Sequence, residues 1–129
     1  MNKDKLVKLL KTDTVKFNEY RKQHPDEKID LSGVDLDEED LRTVNLSNAD
    51  LRNALLRVCN FMSANLSGAD LRGADISFSK FSFANLENAD FTGATIGKIR
   101  LNKTIVKGTK GLMANNGNRD QFTTAGGFC

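Results

Sequence analysis

Apolar residues that recur every five positions exclude an ordinary helix or strand, whose side-chain periods are about 3.6 and 2.0 residues. Here the period runs without a break through Leu31, Leu36, Leu41, Leu46, Leu51, Leu56, Phe61, Leu66, Leu71, Ile76, Phe81, Leu86, Phe91, Ile96, Leu101 and Val106. Leu, Ile, Phe and Val together fill 34 of 129 positions, so composition alone would give these sixteen hits about once in a billion trials. Two positions before each lies a second inward candidate, alanine in eight units: Ala49, Ala54, Ala64, Ala69, Ala74, Ala84, Ala89 and Ala94. Asp or Asn separates the two positions in eleven units. A short extended piece that buries two side chains, followed by a tight turn, produces this spacing. Gly or Asn closes many of the units, supplying residues that tolerate turn geometry.

Stretches such as Ala49-Asp50-Leu51-Arg52-Asn53, Ala64-Asn65-Leu66-Ser67-Gly68, Ala69-Asp70-Leu71-Arg72-Gly73 and Ala84-Asn85-Leu86-Glu87-Asn88 resemble the A-(D/N)-L-x-x unit of pentapeptide-repeat proteins. The resemblance covers residues 29–108. It implies an all-β fold, a right-handed quadrilateral parallel β-helix with four units per coil and therefore four coils. At about 4.8 Å between stacked strands the solenoid would be roughly 20 Å long. The organisation expected is a short α-helical N-terminal cap over 1–28, the solenoid over 29–108, and a Gly-rich tail or cap over 109–129.

Four units per coil would stack residues twenty apart. Asp30, Asp50, Asp70 and Asp90 then form one column, and Asn45, Asn65 and Asn85 another. The carboxylates are expected to accept backbone hydrogen bonds or pair with Arg52 and Arg72, since a calcium site would need several oxygens converging on one point. The Asn column reads as stacked amides satisfying one another. Phe61 and Phe81 share the third face, where Cys59 and Ser79 replace the inward alanine, the volume compensation that a close-packed interior demands. Glu39 occupies an inward slot and is expected to be the least regular position of the first coil.

Outward positions that break the polar rule are the candidate interface: Leu55, Val58, Met62, Phe78 and Phe83, on the second and third faces of the second and third coils. They are expected to gather around one edge, and an exposed apolar patch marks an interface. Its occupant is the chain's own tail, a second copy, or a foreign partner. Charge also varies along the axis. The first coil carries Asp35, Asp37 and Glu38 among its acids, and the last carries Lys98, Arg100 and Lys103, giving candidate charged ends of opposite sign.

An open coil invites edge-to-edge pairing, so caps are expected. Leu6, Leu9, Leu10, Phe17 and Tyr20 recur at helical spacing, with Thr12, Asp13 or Thr14 to cap a second helix and His24-Pro25 to end it. After Val106 the repeat fades into a segment that is either a loose cap over Leu101, Ile105 and Val106 or partly disordered. Cys59 is expected buried and inert, Cys129 a free thiol.

The single histidine, the absence of a phosphate loop and the lack of zinc spacing leave no catalytic constellation, and no cofactor or metal is implied. No apolar run is long enough for a membrane helix, and the reading is cytoplasmic. The function expected is a non-enzymatic protein-interaction module, its partner unidentified and a homodimer among the options. The resemblance adds an alternative: some pentapeptide-repeat proteins imitate DNA and bind DNA gyrase. Residues 29–108 hold eleven acids and nine bases, a weak charge for a polyanion mimic. Direct nucleic-acid binding ranks lower still, because aromatic residues are not interleaved with the basic ones in sequence.

Overall fold

The computed structural model describes residues 1–112. Two helices open the chain, α1 (Lys3–Thr12) and α2 (Thr14–Gln23). Asn2 caps α1 through its side-chain oxygen on the Lys5 amide, and Asp13 caps α2 through the Lys16 amide. Of the three residues expected to cap the second helix, Asp13 takes the role. His24 ends α2 immediately before Pro25, whose ring disfavours helical geometry in the preceding residue. Leu6, Leu10 and Phe17 are buried in the same core cluster as the repeat.

From Asp30 to Lys110 the chain winds as a solenoid in which residues twenty apart form parallel bridges, Asp30 with Asp50, Asp50 with Asp70, Asp70 with Asp90, and likewise on the other three sides. Four five-residue units therefore make one coil. Each contact is an isolated one-residue bridge, and the only regular elements among the described residues are the two helices. The expectation of β-strands is corrected in this respect. A corner every five residues leaves one residue per unit that bridges the coils on both sides, too few for a strand.

The unit 49–53 shows how its amides are satisfied. Ala49 donates to the Leu46 carbonyl, closing the preceding turn, while Asp50 donates back to Ile29 of the previous coil. Leu51 and Asn53 donate forward to Asp70 and Arg72 of the next coil. The remaining amide, Arg52, meets neither coil and donates to Asp50 Oδ1 at 3.1 Å. Asp or Asn before the central leucine is thus an acceptor that the turn itself requires. The last residue of nearly every unit has positive φ, Asn53 at 60° and Gly68 at 67° among them. A side chain at Gly68 would also meet the Asn48 amide oxygen at 2.2 Å, so glycine there serves both backbone and stacking.

The Asn column differs from the expected mutual ladder. Asn45, Asn65 and Asn85 each turn Oδ1 to the amide two residues on in their own unit. Glu39 is also more regular than expected. Its amide reaches the Leu36 carbonyl and its carbonyl accepts from Asn60, so the ladder passes through it undisturbed. Irregularity falls instead in the fourth coil, where the positive φ moves from the slot of Lys98 to Gly97.

Inside, the Phe61 and Phe81 rings stack with centroids 4.9 Å apart and planes within 5°. Cys59 Sγ donates to Leu36 O, Ser79 Oγ to Leu56 O and Thr104 Oγ1 to Phe81 O. The polar atoms that replace alanine are therefore each paired, as burial demands. The starting edge is closed by the helices. Asn18 accepts from the Asn45 amide, and the buried Arg21 donates through its guanidinium to the Asn45 and Ser47 carbonyls at 2.9 Å each. Lys3 supplies the Ser32 carbonyl on another side. At the other end the ladder extends to Lys110 and Leu112 is buried; residues 113–129, including Cys129 and most of the expected tail or cap, lie outside the described residues.

Replacing Phe81 by Ala removes half of a stacked pair from a core with no room to collapse. The expected loss is about 3–5 kcal/mol of unfolding free energy, read as a lower urea midpoint with circular dichroism retained.

Candidate functional site

Turn residues point outward, and most are polar or glycine. Val58, Phe78 and Phe83 are not, and they stand 54, 62 and 58% exposed. All three also occupy the left-handed slot, with φ of 58°, 62° and 62°. That conformation costs an L-residue about 1–2 kcal/mol, and it is worst for a β-branched side chain such as Val58. The turns would close at lower cost with glycine or asparagine.

The five candidate interface residues fall at two corners and on the second face. Val58 and Phe78 stack twenty apart at the corner between the second and third faces, where they line a shallow groove of about 390 Å³ with Asp37, Glu38, Arg57 and Ser77. Met62 and Phe83 lie at the turn that ends the third face, one unit further along the chain, and Met62 is only 37% exposed. Leu55 sits on the second face, ahead of the Val58 corner, as a half-buried bridge residue paired with Asp35 and Asp75.

Leu55 nevertheless changes the surface. It cannot accept the amide two residues on, and the Arg57 amide donates to Asp37 Oδ1 of the previous coil at 2.8 Å. The Arg57 guanidinium closes on the same carboxylate, so Asp37 is held below its usual pKa and is not a free charge. Asp35 and Glu38 remain exposed. On the basic side, Lys98, Arg100 and Lys103 are exposed and have no carboxylate partner among the described residues. Lys80 and Arg100 stack in the slot usually given to Asp or Asn, where neither offers an acceptor to the turn. A second groove, about 320 Å³, is lined by Phe78, Ser79, Lys80, Lys98, Ile99 and Arg100. Phe78 is the wall common to both grooves. Folding thus brings Lys98 and Arg100, twenty or more residues away in sequence, beside the ring that Lys80 follows by two residues.

In the aspartate column the two arginines expected from their spacing hold Asp50 and Asp70, while Lys3 meets Asp30. Arg52 and Arg72 clamp Asp50 and Asp70 with two side-chain hydrogen bonds each, and Arg42 does the same for Asp40 in another column. The Arg52 clamp is the main cause that brings Asp50 down to about 2, against the opposing effect of burial. Asp90, with no arginine in its unit, is lowered by Thr92. Burial pushes the Cys59 thiol up to about 12, which removes it from nucleophilic chemistry near neutral pH. Among the described residues no group of three or more His, Cys, Asp and Glu is placed to hold a metal ion, and no helix is long and apolar enough to cross a membrane.

The family model described as pentapeptide repeats matches residues 27–61, 40–77 and 69–108, with eight copies. The chain belongs to the pentapeptide-repeat family. Membership carries with it the right-handed β-helical solenoid, and proteins of this family are generally non-enzymatic structural or interaction modules. Among solved structures, a pentapeptide-repeat protein of the Arabidopsis thaliana thylakoid lumen is 32% identical over 67% of this chain and 64% of its own, with a TM-score of 0.30. One from Nostoc is 30% identical over 69% of this chain and 65% of its own, TM-score 0.26. One from the cyanobacterium Cyanothece is 18% identical over 88% and 97%, TM-score 0.29. The chain thus spans slightly less than two thirds of the length of the first two. Comparison with curated proteins gives no match.

The lowered aspartates set a pH dependence. A depressed carboxyl pKa stabilises the fold fully above the unfolded value of about 3.9 and loses that contribution as pH falls through the folded value, about 2 for Asp50. The urea midpoint is therefore expected to fall between pH 4 and pH 2, and Asp50→Asn to flatten part of that slope. An unchanged slope in the variant would show that the Arg52 clamp contributes nothing.

Proposed function

We propose that this pentapeptide-repeat chain is a non-enzymatic protein-interaction module, a rigid rod that offers the corner of Val58 and Phe78 to a protein partner. The observation that carries this reading is the placement of large apolar side chains, exposed, in left-handed turn slots. Neither the core nor the ladder uses them, and each is held at a backbone cost. Strain of this kind, kept at an exposed site, supports a role outside folding. Apolar surface rimmed by charge is also what a partner buries. Imitation of DNA before a DNA-binding protein such as gyrase has less support, because Asp40, Asp50 and Asp70 are each held by an arginine of their own unit.

The Val58→Asn/Phe78→Asn chain separates folding from binding. Asparagine tolerates positive φ, so stability is expected to hold or to rise by about 1 kcal/mol, which is a few degrees in thermal midpoint. Association, measured by sedimentation mass and by partner recovery on immobilised protein, is expected to drop at least tenfold. A variant that is stable and associates as well as the parent removes this corner from the interface.

A further inference from the structure

The corner between the second and third faces reads Glu38, Val58 and Phe78 at steps of twenty residues, and Lys98, shifted from the regular slot by the left-handed turn at Gly97, still lines a groove with Phe78: an acid, two apolar residues and a base. Turned end over end, that column is its own complement. A two-fold axis lying across the corner midway between the second and third coils would set Glu38 against Lys98 of another copy. The same operation would set Val58 against Phe78 twice. Closed two-fold contacts require this kind of self-complementarity, in which residue i meets j and j meets i.

The column geometry points to an antiparallel homodimer through this corner. The inference rests on the interaction reading above and names its partner as a second copy of the chain. Two observations favour that occupant. Glu38 and Lys98 have no ion-pair partner among the described residues, and three coil steps of about 4.8 Å keep them from pairing with each other in one chain. The two grooves meet at Phe78, one edged by Glu38, the acid there that no arginine holds, the other by Lys80, Lys98 and Arg100. In the antiparallel arrangement each receives the opposite charge from the other copy.

Competing arrangements of two copies fare worse. A parallel side-by-side pair would oppose Glu38 to Glu38 and Lys98 to Lys98, repulsions that antiparallel packing converts to attractions. Head-to-tail stacking onto the first coil is obstructed by α1 and α2, which already occupy its edge through Lys3, Asn18 and Arg21. A rod roughly 20 Å long, meeting its copy along one corner, buries less than the about 1,600 Å² of a standard stable interface. Association is therefore expected to be reversible, concentration-dependent and weakened by salt.

Charge exchange at the two ends of the column tests this. Glu38→Lys and Lys98→Glu are each expected to weaken the dimer at least tenfold in sedimentation at low salt, because each places like charges opposite one another. The double exchange within one chain is expected to restore it. An equimolar mixture of the two single variants is expected to form heterodimers although neither dimerises alone, since every end contact is then between opposite charges. Circular dichroism checks that each variant folds. A parent that remains monomeric up to millimolar concentration overturns the inference, as does a double exchange no better than the single ones. A parent that dimerises only after residues 113–129 are deleted assigns the corner to the chain's own tail and overturns it too. A monomeric parent whose partner recovery still depends on Val58 and Phe78 leaves the interaction reading standing and makes the partner foreign. Loss of both effects removes the two readings together.

Discussion

A chain that turns a corner every five residues must find an acceptor for one amide per unit that faces neither adjacent coil. The side chain of the residue before the central leucine supplies it, as Asp50 does for Arg52 and Asn65 for Ser67. An unpaired amide at each of the corners would cost more than a marginally stable small protein can absorb. The Asp or Asn of the repeat is therefore part of the backbone hydrogen-bond scheme as much as of the surface. Where it is missing, the structure responds. Leu55 sends the Arg57 amide to Asp37 in the previous coil and with it recruits an inter-coil ion pair.

The same regularity explains how a chain this small builds a continuous core. Each unit contributes one large and one small inward side chain, and stacking at a fixed step places like upon like, so Phe61 lies on Phe81 and alanine on alanine. Nearest-neighbour stacking makes the stability of such a rod a sum over coils, with its ends the weakest terms. Asn18 and Arg21, one turn apart on α2, offer the acceptor and donors that a preceding coil would have offered. The helical cap thus imitates the repeat chemically while differing from it in shape.

Much of this was legible in the sequence because the repeat encodes local relations. The five-residue period gives the inward positions, and twenty-residue stacking gives the columns. Asp50 and Arg52, two residues apart, could be paired from spacing alone. Relations outside the unit were harder to read. Nothing in the sequence around Asn18 or Arg21 marks them as edge caps, since their partners Asn45 and Ser47 lie more than twenty residues away. The Asn column was misread as a ladder because its spacing suits one, while the amide two residues on competes more closely for the same oxygen. The approach of Lys98 and Arg100 to Phe78 and Lys80 could be seen only once the fourth coil was laid on the third.

The bridge period of twenty residues makes position around the rod a matter of counting. Insertion or loss of one five-residue unit leaves every turn, amide and inward side chain of the other units locally intact. Everything beyond that point, however, is rotated by one face relative to what precedes it. A deletion of this size between Glu38 and Val58 would move Phe78 and Lys98 off the corner that holds Glu38, while the core closed as before. Surface recognition in this fold is thus vulnerable to a change that folding barely registers, and the phase of the count is inherited separately from the stability of the coil.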